Sequence, residues 1–174
     1  MSTTPTTTND AETLIFVYGT LKRSFPNHHL LETFLATDDA KFLGVYKTVD
    51  PYPMVRGPLG VPFLINLPGS GLRVKGELYS VSGRALARLD ELEGIGRGHY
   101  ERLPAVVTAE DGGGEVSEVE AYYADRGFAE ELWEKSGRNA VAEYLPSDAE
   151  KYVGVEARDV EFSLGDYIRV YLQQ

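Results

Sequence analysis

The sequence contains no cysteine. This absence excludes disulfides, thiolate metal ligands and a cysteine nucleophile, and it suits a reducing compartment. Basic residues are also scarce, since 17 lysines and arginines face 27 acidic residues and give a formal net charge of −10. A surface of that sign repels nucleic-acid phosphates and anionic lipid headgroups. The composition therefore argues against binding to nucleic acid or to a membrane surface.

Long apolar segments and targeting signals are missing as well. No stretch of the chain approaches the ~20 apolar residues that span a bilayer. Residues 1–11 have no apolar core and no arginine, so they match neither a secretory signal nor a transit peptide. We expect these residues to form a disordered leader, and we expect the protein to be cytoplasmic.

The remaining chain has the length and apolar content of one domain. Its 174 residues are 43% hydrophobic, which suffices for one sizeable core. An apolar run at 14–18 predicts a buried strand, and alternation at 74–81 predicts another. No parallel βαβ repeat is present. We therefore predict an α+β fold with a mostly antiparallel sheet curled around a core.

Further elements follow from periodicity and from turn residues. The Asp111-Gly112-Gly113-Gly114 run predicts a hairpin between two strands. Asn27 is placed to cap a helix. The predicted ranges are a helix at 27–35 and strands at 42–46, 63–67, 105–109 and 116–123.

The last third of the chain has a different character. Residues 129–144 look mostly helical with an interruption near Gly137, and Ser147 with Glu150 has the spacing of a capping box. Alternation at 167–172 predicts a closing strand. We therefore expect a main domain at 12–126 and a helical extension at 127–174 that packs on the same domain.

One predicted helix carries a misplaced carboxylate. Ser82 can cap this helix and Gly94 can stop it. On a helical wheel, Glu93 falls inside the apolar stripe, four residues after Leu89 and seven after Leu86. A carboxylate at a position that favours leucine breaks a local rule, and such breaks concentrate at functional sites.

The position of Glu93 is compatible with base chemistry. The carboxyl end of a helix disfavours negative charge, and partial burial also raises the affinity of a carboxylate for a proton. A carboxylate so placed can act as a general base. The simpler interpretation is that Glu93 is solvated or paired with Arg97 or Arg102. Periodicity alone favours that simpler interpretation.

Several motifs in order resemble the γ-glutamylcyclotransferase family. They are Tyr18-Gly19-Thr20-Leu21 after an apolar strand, then Leu89-Asp90-Glu91-Leu92-Glu93-Gly94, then Tyr100-Glu101-Arg102. Segments at 16–23, 26–28, 51–53, 67–71 and 76–79 resemble its γ-glutamylamine cyclotransferase branch, which includes plant avirulence-induced-gene-2-like proteins. The resemblance covers about residues 14–124 and leaves the tail unassigned.

The resemblance implies a small β-barrel with flanking helices and one cavity. It implies an acyltransferase-type reaction in which the α-amine of a γ-glutamyl group attacks its own γ-carbonyl, releasing an amine and 5-oxoproline. The catalytic glutamate of the family corresponds to Glu93, and its substrate loop corresponds to Tyr18, Gly19, Thr20 and Leu21. Because the substrate brings both reacting groups, we expect no metal and no cofactor.

Two side-chain roles in the loop region have alternatives. The hydroxyl of Tyr18 can hold the glutamyl group, although a buried tyrosine at a strand end is commonly part of the core. The Lys22-Arg23 pair is most simply solvated, although it could attract a carboxylate. His28 is expected to cap or pack near the loop.

The expected partner is a small γ-glutamyl substrate, and we expect a monomer. The leading hypothesis is cyclisation of γ-glutamyl amines such as a γ-glutamyl-ε-lysine fragment. The alternatives are cyclisation of γ-glutamyl amino acids and a catalytically silent binding or stress-response module on the same fold; glutathione cleavage has less support. A closed pocket that holds Glu93 beside Gly19 would favour the enzyme.

Overall fold

The computed structural model describes residues 12–111 and 114–174. Within these ranges the chain forms seven strands and five α-helices. The strands are β1 (Thr13–Val17), β2 (Ala40–Thr48), β3 (Met54–Arg56), β4 (Pro62–Leu64), β5 (Lys75–Val81), β6 (Tyr100–Ala109) and β7 (Val116–Ala124). The helices are α1 (His28–Ala36), α2 (Gly83–Leu92), α3 (Ala129–Lys135), α4 (Pro146–Ala149) and α5 (Leu164–Leu172). The expected leader at 1–11 lies outside the described residues.

Five of the strands close into a barrel. Antiparallel pairs join β1 to β5, β5 to β2, β2 to β6 and β6 to β7. A parallel pair between β1 and β7 completes the circle, with Ile15 opposite Glu120 and Phe16 opposite Ala121. Strand β4 extends the sheet beside β7, and β3 pairs with β4. The predicted small, mostly antiparallel barrel with flanking helices is confirmed.

The apolar run in β1 reflects burial on both of its faces. Ile15 and Val17 belong to the core cluster that includes buried residues of α1 and α2. Phe16 belongs to a second cluster with residues of β5, β6 and β7, on the opposite face of the sheet. A strand buried on both faces has no polar positions, so its sequence does not alternate.

Predicted and observed elements agree through most of the first 124 residues. The two strands around the glycine run pair as a hairpin, although Gly112 and Gly113 themselves lie outside the described residues. Strand β6 begins at Tyr100, five residues before its predicted start, and β4 ends at Leu64 instead of residue 67. Asn27 precedes α1, but its side chain makes no capping hydrogen bond to the helix.

The predicted helix at 129–144 is wrong beyond Lys135. Helix α3 ends there, and Gly137 and Arg138 both have positive φ angles of 73° and 59°. The chain then runs along the barrel, where the Val141 N–H donates to the Met54 carbonyl at 2.9 Å and the Lys75 N–H donates to the Ala142 carbonyl at 2.8 Å. Because these backbone groups bond to the barrel, they are not available to continue a helix.

The predicted capping box at Ser147 and Glu150 is also wrong. Leu145 is the observed N-cap, two residues before Ser147, and Pro146 is in the first turn of α4, where the missing N–H of proline costs nothing. The Asp148 carboxylate accepts the N–H of Leu145 at 2.8 Å and pairs with Arg56. Asp148 therefore stabilises the start of this short helix.

The predicted closing strand at 167–172 is a helix. Ser163 and Asp166 form a capping box, in which the Ser163 hydroxyl accepts the Asp166 N–H at 3.1 Å and the Asp166 carboxylate accepts the Ser163 N–H at 2.8 Å. The box starts α5, whose Ile168 is buried in the core. The barrel is closed instead by the β1–β7 pair. The division of the chain at residue 126 stays a prediction.

In the part of the chain that the structure describes, no helix has the length and apolar character needed to cross a bilayer.

Candidate active site

Helix α2 presents Glu93 to the barrel. Its start is capped by Ser82, whose hydroxyl accepts the N–H of Ala85 at 3.1 Å. Ala85 and Leu89 on its inner face are fully buried. The N–H of Glu93 donates to the Leu89 carbonyl at 2.9 Å, and Gly94 then turns the chain with a φ of 68°. The predicted helix and both of its end signals are confirmed.

Glu93 lines an inner cavity of about 50 Å³ beside the Tyr18–Leu21 turn. Its side chain is partly buried. Neither arginine of the simpler interpretation pairs with it, since Arg97 donates to the Glu91 carbonyl at 3.2 Å and Arg102 donates to Asp90. The other residues of the cavity wall are Phe16, Val17, Val61, Pro62, Tyr100 and Tyr122.

The surroundings of Glu93 favour its protonated form. Burial away from water, and then the nearby negative charge of Asp90, raise the pKa of Glu93 from 4.5 to about 7. Among the described residues, none offers a hydrogen bond or a positive charge that offsets this rise in pKa. At neutral pH the carboxylate is therefore poised between its two protonation states.

Asp90 is held one turn before Glu93 by a polar cluster. Its carboxylate accepts hydrogen bonds from Arg102 at 2.9 and 3.1 Å and from the Tyr122 hydroxyl at 2.7 Å. Arg102 also pairs with Glu120 on β7. These contacts join α2 to β6 and β7 and fix a negative charge beside Glu93.

The turn after β1 lines the same cavity with Gly19, Thr20 and Leu21. The Lys22 N–H bonds to the Gly19 carbonyl at 3.1 Å, and the Asn27 N–H bonds to the Thr20 carbonyl at 2.8 Å. By contrast, the N–H groups of Gly19, Thr20 and Leu21 donate to no other residue that the structure describes. Unused N–H groups in a tight turn can bind an anion or a developing oxyanion.

Gly19 is required by a close approach to β4. A Cβ atom at this position would lie 2.5 Å from Cγ of Pro62, which also lines the cavity. Any larger residue would push the turn away from the strand. Sequence reasoning did not identify Pro62 or Val61, because nothing local to a three-residue strand indicates which turn packs against it.

The hydroxyl of Tyr18 already has partners within the barrel. It donates to the Tyr122 carbonyl at 2.5 Å and accepts the N–H of Leu64 at 3.3 Å. Burial raises the pKa of Tyr18 well above its ordinary value. The hydroxyl is therefore hydrogen-bonded within the barrel, and Tyr18 also forms part of the cavity wall.

Lys22 is buried, contrary to the expectation of a solvated pair. It is 5% exposed, and its ammonium donates to the Tyr144 carbonyl at 2.7 Å above the ring of Phe25. Arg23 is about half exposed and pairs with Glu77. His28 packs near the loop as expected, with Nδ1 2.9 Å from the Leu21 carbonyl oxygen.

A second, outer cavity of about 510 Å³ adjoins the first. The two share Thr20, Leu21, Val61, Glu93 and Tyr100 in their walls. Much of the remaining wall comes from the tail at 152–164. The family motifs in the sequence end before this segment, so they did not predict that it lines the cavity.

Comparison with known proteins decides the family. The family model described as gamma-glutamyl cyclotransferase, AIG2-like, matches residues 15–141. The chain belongs to this family. The family and the cyclotransferase enzyme class predicted from the sequence are therefore confirmed.

Individual relatives extend the match beyond the family model. An Arabidopsis thaliana protein that its name places among the gamma-glutamylcyclotransferases is 47% identical over 180 residues, which cover 97% of this chain and 94% of that protein. The human gamma-glutamylaminecyclotransferase is 48% identical over 81 residues, or 46% of this chain and 52% of the human protein.

A solved structure shares the fold of this cyclotransferase-family chain. The crystal structure of a mouse AIG2-like protein has a TM-score of 0.57 and 30% identity, and the match covers 88% of this chain and 92% of the mouse chain.

Proposed function

We propose that this cyclotransferase-family protein releases 5-oxoproline and a free amine from γ-glutamyl amines, with Glu93 as the catalytic base. The observation that carries the proposal is a carboxylate that has no partner among the described residues. It lies in a cavity walled by a turn whose three N–H groups donate to none of those residues either. The cyclotransferase activity is that of the family; the roles of Glu93, Tyr18, Gly19, Thr20 and Leu21 are our proposal.

Glu93 would begin the reaction by taking a proton from the α-ammonium of the glutamyl group. The freed amine attacks the γ-carbonyl carbon, a carbon–nitrogen bond forms, and the carbonyl electrons move to oxygen. The N–H groups of Gly19, Thr20 and Leu21 are suited to stabilise that oxyanion.

Collapse of the intermediate then breaks the original amide bond. As this bond breaks, Glu93 donates its first proton to the leaving nitrogen, and as a carboxylate again it takes the second proton from the ring nitrogen. It passes that second proton to the released amine, which departs as an ammonium. The ring remains as 5-oxoproline, and Glu93 is again ionised.

The raised pKa of Glu93 suits this task. A base with a pKa of about 7 is substantially ionised at neutral pH and is a stronger proton acceptor than an ordinary carboxylate. The small inner cavity favours a folded glutamyl chain, and holding two reacting groups of one molecule together supplies much of the acceleration. We therefore propose a reaction without a metal or a cofactor.

We also propose a cytoplasmic monomer that binds no nucleic acid. The absence of cysteine suits a reducing compartment, and the net charge of −10 disfavours binding to phosphate backbones.

The decisive experiment measures 5-oxoproline release from a panel of γ-glutamyl amines and γ-glutamyl amino acids. We expect release by the wild type and a loss of about 100-fold or more in Glu93→Gln, since a positioned base contributes at least that much. Glu91→Gln is the matched control, because Glu91 lies on the same helix, is exposed and pairs with Arg88. We expect this control to retain activity.

Other outcomes would separate the alternatives. Equal release by wild type and Glu93→Gln would remove Glu93 from its role. Release only from γ-glutamyl amino acids would replace the amine hypothesis by that alternative. No release from any member of the panel would favour a silent binding module on this fold.

A further inference from the structure

The outer cavity carries positive charge that the proposed reaction does not use. Arg97, His99 and Arg158 all line it, together with Glu93. The protein has a net charge of −10, so a pair of arginines in the same cavity as the candidate base is unexpected from composition. Within the proposed function, these arginines lie where the departing part of the substrate would be.

Arg158 is held in place by the tail. Its Nε donates to the Val153 carbonyl at 2.9 Å and its Nη2 donates to the Tyr152 hydroxyl at 3.4 Å. The guanidinium lies 5.6 Å from the centroid of the Tyr152 ring. An arginine fixed in this way loses less conformational entropy when it binds a carboxylate.

Arg97 precedes His99 in the chain and Arg158 follows it, but the positive charges of both arginines affect the His99 imidazole. His99 is 8% exposed, and its pKa is lowered by burial and then by the positive charges of Arg97 and Arg158. Asp125 and Asp166 act in the opposite direction on its pKa. The tail and the turn after α2 therefore bring both guanidinium groups within electrostatic range of one point of the cavity wall.

The arginines are separate from the reacting centre. Burial and the charge of Asp90 raise the pKa of Glu93, and neither arginine lowers it. Among the described residues, Asp159 is the one carboxylate besides Glu93 that lines the outer cavity, and its Oδ1 accepts the N–H of Glu161 at 2.9 Å. The exposed side chains of Val155, Val160 and Phe162 add an apolar rim. This combination suits a hydrocarbon group that ends in a carboxylate.

We propose that Arg97 and Arg158 are specificity-determining residues of this site, which bind a carboxylate carried by the leaving group of the substrate. This inference rests on the proposed function and deepens it. A guanidinium binds a carboxylate by charge-assisted hydrogen bonds. The carboxylate has two sources: the carbon next to the scissile nitrogen in γ-glutamylleucine, or the far end of the chain in γ-glutamyl-ε-lysine.

Matched substrate pairs test the proposal. γ-Glutamylleucine is compared with γ-glutamylisoamylamine, and γ-glutamyl-ε-lysine with γ-glutamylcadaverine, since each pair differs only in the carboxylate. We expect a preference of about 10-fold to 100-fold in kcat/KM for the carboxylate in one pair, expressed mainly in KM. The pair that shows it identifies the source of the carboxylate.

Variants of the two arginines test whether these residues cause the preference for a carboxylate. Arg158→Gln and Arg97→Gln should each reduce it, and the double variant should abolish it while turnover of the plain amines is unchanged. Arg158→Lys should keep part of the preference because it keeps the charge. Arg138→Gln is the control, since Arg138 is exposed, does not line the outer cavity and pairs with Glu134. Thermal unfolding of each variant checks that the tail remains folded.

The same comparison can be made without turnover. Calorimetric binding of each pair to Glu93→Gln, with and without the arginine substitutions, measures the carboxylate preference directly. Equal affinity within both pairs, or a preference that survives the double arginine substitution, would overturn the proposal. Absence of 5-oxoproline with a retained, arginine-dependent binding preference would instead contradict the proposed function and leave the carboxylate site in place.

Discussion

Glu77 and Glu93 are two carboxylates in the barrel region with opposite surroundings. Glu77 is 8% exposed, and it accepts hydrogen bonds from the Arg23 N–H at 2.9 Å and from the Tyr79 hydroxyl at 3.0 Å. Glu93 has no such partner among the described residues. A satisfied buried carboxylate holds the fold together, whereas an unsatisfied one retains the capacity to take a proton.

The pH dependence of the reaction follows from the pKa of Glu93. The base must be ionised, so kcat/KM should rise with pH up to a plateau, with a midpoint near 7. Asp90→Asn removes the charge that contributes to the raised pKa, so the midpoint should move to lower pH. Rate profiles between pH 4.5 and 9 for both proteins measure this shift. A midpoint that is the same in both would contradict the assigned cause.

The same residue should lower the stability of the fold at neutral pH. Its folded-state pKa of about 7 exceeds the ordinary 4.5, so its contribution to stability is fully present below pH 4.5 and is lost as the pH rises through 7. The loss amounts to at most about 3 kcal/mol, and less because the side chain is only partly buried.

Glu93→Gln should therefore be more stable than the wild type at pH 8, by about 1–3 kcal/mol, and nearly equal to it at pH 4.5. Urea unfolding at the two pH values measures the difference. Glu91→Gln, which removes an exposed carboxylate from the same helix, should show no such gain. A Glu93→Gln protein that is less stable at pH 8 would contradict the strained position of the carboxylate.

At the scale of elements, the site depends on how closely the turn after β1 packs on β4. Gly19 and Pro62 meet without room for a Cβ atom. The Pro62 carbonyl also accepts the Tyr100 hydroxyl at 3.1 Å, so the strand is tied to β6. The position of the turn relative to Glu93 is thus set by contacts between elements that are distant in sequence.

Gly19→Ala should reduce cyclotransferase activity by about 10-fold or more, because a shift of the donors by a fraction of an ångström weakens their alignment. The double variant Gly19→Ala/Pro62→Ala should recover part of the loss, since it removes the ring carbon that the new methyl group would meet. Rates and thermal unfolding of the single and double variants measure this. A double variant no better than Gly19→Ala would show that the contact with Pro62 is not the cause.

At the scale of the whole molecule, the tail is part of the barrel domain's hydrogen-bonding pattern. Tyr144 is 1% exposed; its carbonyl accepts the Lys22 ammonium and its hydroxyl donates to the Gly60 carbonyl at 2.8 Å. The Val153 N–H donates to the Leu59 carbonyl at 2.8 Å. Loss of the tail would remove the hydrogen-bond partner of the Lys22 ammonium and three contacts that hold the tail against the barrel domain.

Removal of residues 127–174 should therefore abolish cooperative folding. The cut also removes Leu132 and Ile168, which are buried in the core cluster with α2. Circular dichroism and urea unfolding of the truncated chain measure the effect, with Phe162→Ala, a substitution at an exposed residue, as the control that should stay folded. A truncated chain that unfolds cooperatively would establish 12–126 as an independent domain.

Much of the fold could be predicted from the sequence because local patterns specify it. The apolar run of β1, the alternation of β5, and the Ser82 and Gly94 signals of α2 all depend on neighbours within a few residues. The same local pattern placed Glu93 inside an apolar stripe, and the ordered motifs identified the family.

Local patterns failed where an apolar sequence fits two periods. The apolar positions at the end of the chain fit one face of a helix as well as a strand; they are Tyr167, Ile168, Tyr171 and Leu172. The Ser163–Asp166 capping box favours the helix. The spacing of that box is present in the sequence, but our prediction rested on the alternation alone.

Local patterns in the sequence were enough to give the order of elements through residue 124, the family and the carboxylate that breaks the apolar pattern of α2. Only the tertiary structure decided that β1 and β7 close the barrel, that Lys22 is buried and that the tail supplies Arg158 to the outer cavity. The physical reason is distance along the chain. The periodicity of apolar residues depends on neighbours within one turn or strand. Contacts such as that of Lys22 with Tyr144 join residues that only the closed barrel brings together.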